Sequence, residues 1–245
     1  MVLRKWEDLP ESMQLDEVRP YWEVLNRKKF ALICKRVFDI IASSLMLIML
    51  SPFFLILAIV IKIDSRGPVF YRQERVTQYG KVFRIHKFRS MVRDADKKGS
   101  LVTVRNDNRV TKVGRFIRKY RLDEISQLID VLKGDMTYVG VRPEVPKYVD
   151  AYSPEMMATL LLPAGVTNLT CIFYADEAKL LNNAVNADRT YINEVLPGKM
   201  RWNLRGLLEF SPWNDIKLMF MTFFAMCGKH YEADSKAVEE KELIG

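Results

Sequence analysis

The chain has 245 residues, 49% of them apolar, and its 38 Lys and Arg outnumber 30 Asp and Glu to leave a net charge of +8. That apolar share supports a real core and excludes wholesale disorder, and the positive balance calls for an anionic partner: nucleic acid, a phosphorylated substrate or an anionic membrane. Three scattered cysteines (Cys34, Cys171, Cys227) exclude a disulfide framework and a zinc ribbon, and two histidines (His86, His230) exclude a multi-histidine site, so any metal would be a hard cation on carboxylates.

Residues 1–35 form a first segment in which Trp22, Leu25, Phe30 and Ile33 stand among basic neighbours, a pattern suited to a membrane interface. From Ile40 to Ile61 run twenty-two residues without a charge. A bilayer helix needs about 20 such residues, whereas a signal peptide would be shorter and nearer the start. Ser51 and Pro52 stand at the midpoint, where proline removes a helical hydrogen bond and favours a bend. Both flanks are basic, with Arg27, Lys28, Lys29, Lys35 and Arg36 before the run and Lys62, Arg66, Arg72 and Arg75 after it. Positive residues favour the cytoplasmic side, so neither end is the obvious one to translocate. On the residues alone two readings stand: a helix–break–helix that enters and leaves by one face, and a plain spanning helix with a tolerated proline.

Val69–Tyr71 and Val82–Phe88, separated by a turn at Gly80, predict an antiparallel hairpin. The stretch 94–109 is polar and predicts a loop. Val113–Tyr120 predicts a basic helix, and a second helix is expected to open at Asp123, with Leu122, Ile125, Leu128, Ile129 and Leu132 on its buried face and Gly134 at its end. Asn214–Met226 is nearly apolar all round, so it belongs in the core or in an interface. Residues 229–245 read as a solvated tail.

Seven basic residues and one acid lie between Arg105 and Arg121, and Asp123 and Glu124 follow at once. A helix N-terminus favours anions, so Asp123 there would stay ionised and serve as nucleophile or ligand. With Glu124 it makes a pair of hard oxygen donors, the kind Mg²⁺ uses together with substrate phosphates. Arg118 and Arg142 could offer forked donors to phosphate oxygens, and Lys87 and Arg89 could add more. Taken alone, an Asp-Glu pair is more simply an N-cap with a solvated acid, and the basic run a solvated or lipid-facing stripe.

The order KRVFDI, Ser51-Pro52, GPVFYRQERV, FRIHKFRSM, VGRFIRKYRLDEISQLIDVLKGDMTYVGVRP and SPWNDIKL resembles a monotopic phosphoglycosyl transferase of the bacterial sugar transferase family, from about Lys35 to Met226. The resemblance implies an α+β, mostly helical fold. A re-entrant membrane helix broken at Ser51-Pro52 (36–64), amphipathic interfacial helices and a small antiparallel β-hairpin would surround an interfacial active site in a catalytic domain spanning 65–228. It implies transfer of a sugar 1-phosphate from a UDP-sugar to polyprenol (undecaprenyl) phosphate with Mg²⁺. The setting would be the cytoplasmic face of the bacterial inner membrane among anionic lipids, with no nucleic acid partner and a homodimer left open. Carried onto matching positions, the nucleophile falls on Asp123, its metal-associated partner on Glu124, and phosphate-contacting residues on Lys87, Arg118 and Arg142.

Three departures stand out: Val141 precedes Arg142-Pro143 where the family has proline, Thr77 replaces a glycine, and residues 163–171 depart from the family's P-G-I-T-G pattern. The last leaves the donor sugar open. Two rivals from other classes are a membrane-anchored scaffold, which would release no UMP, and a basic nucleic-acid binder, which would need an aromatic-interleaved groove the sequence lacks.

Overall fold

The structure is a computed structural model that describes residues 3–95, 107–173 and 187–226. The expected loop at 94–109 is therefore seen only at its two ends, and Cys227, His230 and the expected tail lie outside the described residues. Cys34 and Cys171 are free thiols.

The N-terminal segment departs from the interfacial expectation. Two 3₁₀ turns and helix α1 (Arg19–Arg27) strap onto the later part of the chain, burying Leu3, Leu9, Met13, Val18 and Leu25 against Leu161, Leu204, Leu207 and Phe210. Each fully buried side chain of this size contributes about 1.5–3 kcal/mol, which outweighs what headgroup contact would offer. Only Phe30 and Ile33 of the expected interfacial set are exposed; Leu25 is in the core and Trp22 stacks edge-on against Trp6.

Helix α2 (Lys29–Asp64) carries the apolar run as 36 continuously helical residues, so the expected break at Ser51-Pro52 is not an interruption of the helix. The local chemistry explains why. Pro52 has no N–H for the Ile48 carbonyl, and the Ser51 hydroxyl donates to that same carbonyl at 2.8 Å. Large apolar side chains along the middle of α2, among them Leu45, Ile48, Met49, Leu55 and Ile56, are exposed.

Both ends of α2 are tied to one body. Near its start, Arg36 donates to the Val131 and Leu132 carbonyls (2.6 and 2.8 Å), and Asp39 accepts from the Thr137 hydroxyl and the Tyr138 amide (2.7 and 3.3 Å). At its finish, Asp64 accepts from the Val113 amide (3.1 Å), and Leu57 and Ile61 are buried with Phe88 and Ile117.

Strands β1 (Phe70–Val76) and β2 (Val82–Phe88) form the expected antiparallel hairpin, with Arg72 opposite His86 and Tyr71 opposite Lys87. Its turn uses Tyr79 and Gly80, both at positive φ. Helix α3 (Lys112–Lys119) is capped by the Thr111 hydroxyl, which accepts from Gly114 N. A 3₁₀ turn at Ile125–Gln127 leads into the short α4 (Leu128–Lys133), which Gly134 ends in the left-handed conformation, as expected. The buried face of this stretch is Ser126, Gln127, Leu128, Asp130 and Val131, whereas Leu132 is exposed. The expected apolar face is thus rotated, because polar Asp130 is drawn inward by hydrogen bonds to β2.

A parallel pair, β3 (Met136–Val139) with β4 (Ala164–Thr167), was not expected. It requires backbones in close contact: a Cβ on Gly165 would lie 2.1 Å from the Gly140 carbonyl oxygen. Helix α5 (Leu196–Leu208) packs against the N-terminal strap, and α6 (Pro212–Met226) follows. Of the two places expected for α6, the core does not hold, since Trp213, Phe220, Phe223 and Phe224 are exposed.

Candidate active site

The segment carrying Asp123 is built by the way α3 ends. Arg121 takes φ +52°, and the amides of Arg121 and Leu122 bond back to the carbonyls of Arg118 and Ile117 at 3.2 and 2.9 Å. This is the paired closure that normally uses glycine. It turns the chain sharply, so Asp123 enters a bend and not the helix N-terminus expected from sequence; α4 begins only at Leu128. The bend is fixed against β2, because Phe88 N donates to the Asp123 carbonyl at 3.0 Å and the Ser126 hydroxyl reaches both the Asp123 and His86 carbonyls.

The two carboxylates sit in different electrostatic settings. Glu124 is gripped by Arg142, with Lys87 at 3.4 Å and Arg121 at 3.9 Å. Burial would raise its pKa, but these cations, Arg142 first, overcome it and hold the group down at about 2. Asp123 has no ion-pair partner within 4.0 Å among the described residues, and its carboxylate accepts a hydrogen bond from its own backbone amide. Burial, then the adjacent Glu124 charge, raises its pKa, and Lys87 and Arg118 offset only part of this. The expectation that a helix N-terminus keeps Asp123 ionised is corrected: desolvation dominates, and the nearby cations do the opposing work. Burial and Arg142 together lower the pKa of Lys87 despite its contact with Glu124.

Asp123, Glu124, Lys87, Arg118 and Arg142 line one cavity of about 1000 Å³, whose wall holds ten Lys and Arg and three acids. Arg142 leaves β3 on a loop held at Val141, whose carbonyl accepts from Gly165 N at 2.8 Å. Backbone pairing steadies that loop, so a valine where the family has proline still leaves the arginine placed.

Arg89 parts company with the other three basic residues named from sequence, Lys87, Arg118 and Arg142. It touches the cavity wall, yet it is 5% exposed and its Nη2 donates to Ser65 O (2.6 Å), Ser65 Oγ (2.9 Å) and Ile61 O (3.4 Å). The geometry makes it a brace beneath the end of α2 through Nη2, while its Nε and Nη1 are buried without a hydrogen-bond partner among the described residues. Gly67, at φ +136°, leaves room for it; a Cβ there would sit 2.1 Å from Arg89 Nη1.

Sequence reasoning missed the hairpin's own contribution. Arg72, Gln73, Arg75 and Arg84 line the same cavity. Arg75 donates to the Pro143 carbonyl at 3.2 Å and to Gln73 Oε1 at 2.7 Å, which ties β1 to the Arg142 loop. Arg72 and Arg75 were counted above only as membrane-flanking charges; their place on a strand was the signal that they belong to a wall.

Asp123 and Glu124 offer two hard carboxylates, and among the described residues no group of three metal-ligating side chains forms. Such a pair fits Mg²⁺, which takes one or two carboxylates and draws its other ligands from water and substrate phosphates.

The chain thus combines a basic cavity around two carboxylates with a helix long and apolar enough to enter a bilayer. The chain belongs to the bacterial sugar transferase family, whose sequence profile matches residues 30–229. It is 35% identical over 191 residues to a UDP-N-acetylgalactosamine-undecaprenyl-phosphate N-acetylgalactosaminephosphotransferase of Aeromonas hydrophila, covering 77% of this chain and 42% of that one. It is 34% identical over 195 residues to a UDP-glucose:undecaprenyl-phosphate glucose-1-phosphate transferase of Caulobacter vibrioides, covering 77% and 67%. It is 34% identical over 210 residues to an undecaprenyl-phosphate galactose phosphotransferase of Salmonella typhimurium, covering 80% and 40%. The chain thus spans about two fifths of the Aeromonas and Salmonella proteins. The three names carry three different sugars at nearly equal identity, so similarity ranks none of them.

Proposed function

We propose that this chain transfers a sugar 1-phosphate from a UDP-sugar to polyprenol phosphate, at the cytoplasmic face of a bacterial inner membrane, through a covalent aspartyl intermediate. One observation carries the reading: a partly buried Asp123 without an ion-pair partner among the described residues shares a cavity with Lys87, Arg118 and Arg142, beside a Glu124 already neutralised by cations. The cavity volume also suits a nucleotide sugar.

An Asp123 carboxylate oxygen attacks the phosphorus that bears the sugar. The bond from that phosphorus to the bridging oxygen breaks, and UMP leaves with the electron pair. A phosphate oxygen of the polyprenol phosphate then attacks the same phosphorus, the aspartyl bond breaks, and the carboxylate is restored with release of a polyprenol diphosphosugar. No proton relay is needed, which suits a site poor in histidine; positioning and charge neutralisation by Lys87, Arg118 and Arg142 carry the rate. Asp123 and Glu124 would hold Mg²⁺, which when bound neutralises charge on the donor's diphosphate. Burial raises the intrinsic reactivity of Asp123, because a poorly solvated carboxylate is the better nucleophile once ionised.

The attachment of both ends of α2 to one body supports a monotopic placement. A helix crossing the bilayer would set residues 39 and 64 on opposite sides, yet a single domain holds both. Entering and leaving by one face also keeps both basic flanks inside, among anionic lipids. Purified protein given UDP-glucose, UDP-galactose and UDP-N-acetylgalactosamine in turn, with undecaprenyl phosphate, should release UMP with at least one of them. Donor without acceptor should add a phosphosugar mass to the Asp123 peptide. The scaffold alternative predicts no UMP from any nucleotide sugar.

A further inference from the structure

A buried chain of hydrogen bonds runs from α4 to the cavity and has no part in the steps above. Asp130, 1% exposed, uses both oxygens on one residue: Oδ2 accepts from the His86 amide at 2.8 Å, and Oδ1 meets His86 Nδ1 at 2.5 Å. On the other side of the ring, His86 Nε2 lies 2.6 Å from Arg72 Nη1. Arg72 is the cross-strand partner of His86, and its Nε and Nη2 donate to the Arg84 carbonyl at 3.1 and 2.7 Å. The Phe70 ring closes over the imidazole edge-on at 5.8 Å.

The proton positions follow from the chemistry of the groups. A guanidinium has no acceptor, so Arg72 must donate, and His86 Nε2 must carry the lone pair. The imidazole proton then sits on Nδ1 and points at Asp130. Each end of the chain enforces the same neutral tautomer. The result for Arg72 is a guanidinium fixed by two acceptors, the Arg84 carbonyl and His86 Nε2, both on the neighbouring strand. Three of its five N–H groups are committed, and two remain on a residue that lines the basic cavity.

We propose that Asp130 and His86 are positioning residues which hold Arg72 as a pre-oriented phosphate donor, so that Arg72 binds the diphosphate of the sugar nucleotide. This rests on the sugar-nucleotide reading given above. Arginine suits the task because its planar fork, once fixed, can meet two non-bridging oxygens without further loss of side-chain freedom. Lysine could not bridge His86 and the Arg84 carbonyl while facing a ligand.

The test uses the full chain in lipid nanodiscs with UDP and Mg²⁺, UDP being a probe that keeps the diphosphate and needs no turnover. With only two histidines in the chain, ¹⁵N NMR can report the His86 tautomer directly, the His86→Asn spectrum identifying its signals. The expected state at neutral pH is neutral, with the proton on Nδ1; a proton on Nε2 overturns the relay. Arg72→Ala should weaken UDP binding about tenfold, the scale of a lost hydrogen bond to a charged group, and Arg72→Lys should not restore it. Two substitutions at His86 separate positioning from folding. His86→Asn keeps a donor toward Asp130 but lacks the acceptor for Arg72, and it should weaken UDP binding about as much as Arg72→Ala. His86→Gln sets an amide oxygen near the Nε2 position and should retain most of the affinity. In the Arg72→Ala background, His86→Asn should cost nothing further. Equal losses from His86→Asn with and without Arg72 would show that His86 acts through the fold, and the relay would fall. Wild-type binding of UDP with Arg72→Ala unchanged overturns the role of Arg72 alone. Wild type that binds no UDP overturns the sugar-nucleotide reading, and the role of Arg72 with it.

Discussion

Arg36 and Arg142 carry the same planar fork and meet opposite surroundings. Arg36 lies at the start of the apolar helix and donates to the Val131 and Leu132 carbonyls at the end of α4, where the helix ladder runs out and Val131 also accepts from the Gly134 amide. Arg142 lies on a loop beyond β3 and closes on the Glu124 carboxylate at the wall of a wide cavity. Arg89 sides with Arg36, since its Nη2 bonds to the carbonyls at the end of α2, and Arg118 sides with Arg142. An arginine within reach of orphan carbonyls becomes part of the frame. One facing carboxylates across a cavity keeps donors for a ligand. The two groups should therefore separate cleanly when changed, cavity residues altering chemistry at constant stability and frame residues the reverse.

The largest effect expected on the cavity side is at Asp123. Asp123→Asn should lower UMP release by at least about a thousandfold, because the amide is a far weaker nucleophile. Its melting temperature should stay near wild type, and no phosphosugar should accumulate on its peptide. Turnover surviving in this variant removes the covalent step. Chelation comes next: excess EDTA should silence the enzyme and added Mg²⁺ should restore it, whereas full activity in EDTA would exclude the carboxylate-held ion. Arg142→Ala should cut kcat/KM by about a hundredfold, the scale of losing one charge-stabilising donor. Arg142→Lys should recover only part of this, since a point charge cannot make the paired contact.

On the frame side, Arg36→Ala removes the charged donor from the Val131 and Leu132 carbonyls of α4, the first of which keeps the Gly134 amide, and should destabilise the protein by about 1.5–3 kcal/mol. The folded fraction should still bind UDP like wild type; a loss of UDP affinity without a loss of stability would erase the division between frame and cavity. The smallest effect is expected at Ser51→Ala, which frees the Ile48 carbonyl and should cost about 0.5–1.5 kcal/mol, read as a small fall in melting temperature in detergent. Replacing Ser51-Pro52 by Ala-Leu tests a different property. It restores the backbone donor that Pro52 lacks toward the Ile48 carbonyl, and accessibility of residues 3 and 243 to a membrane-impermeant thiol reagent, in a background without the native cysteines, should shift for the N-terminal probe.

The sequence made some of this visible and hid the rest for identifiable reasons. The hairpin was legible at β2, where alternation is clean, but β1 was read too short because Arg72, Gln73, Glu74 and Arg75 mask a strand with polar side chains. Those residues are polar because they wall a cavity. The parallel pair was invisible for another reason: β3 and β4 are four residues each, and their pairing depends on two glycines in contact across twenty-five positions of chain. No local period records such a contact. Asp123, Glu124, Lys87, Arg118 and Arg142 were all named from sequence, and the structure gathers all five in one cavity. Arg89 was indistinguishable from them by residue type or position, because what separates it is the nearby end of α2, a contact between residues 61–65 and 89 that only the folded chain makes.

The two polar ties of α2 have a mechanical consequence. Asp39 is tied to β3, the strand that leads into Arg142, and Asp64 is tied to the first turn of α3, the helix that carries Arg118. The apolar segment between these ties therefore grips both arginine-bearing walls of the cavity. Lipids that are longer or shorter than the helix prefers would drive it to tilt or bend, and neither motion can occur without altering the spacing between those walls. A series of nanodiscs differing only in acyl-chain length should therefore show donor affinity passing through an optimum.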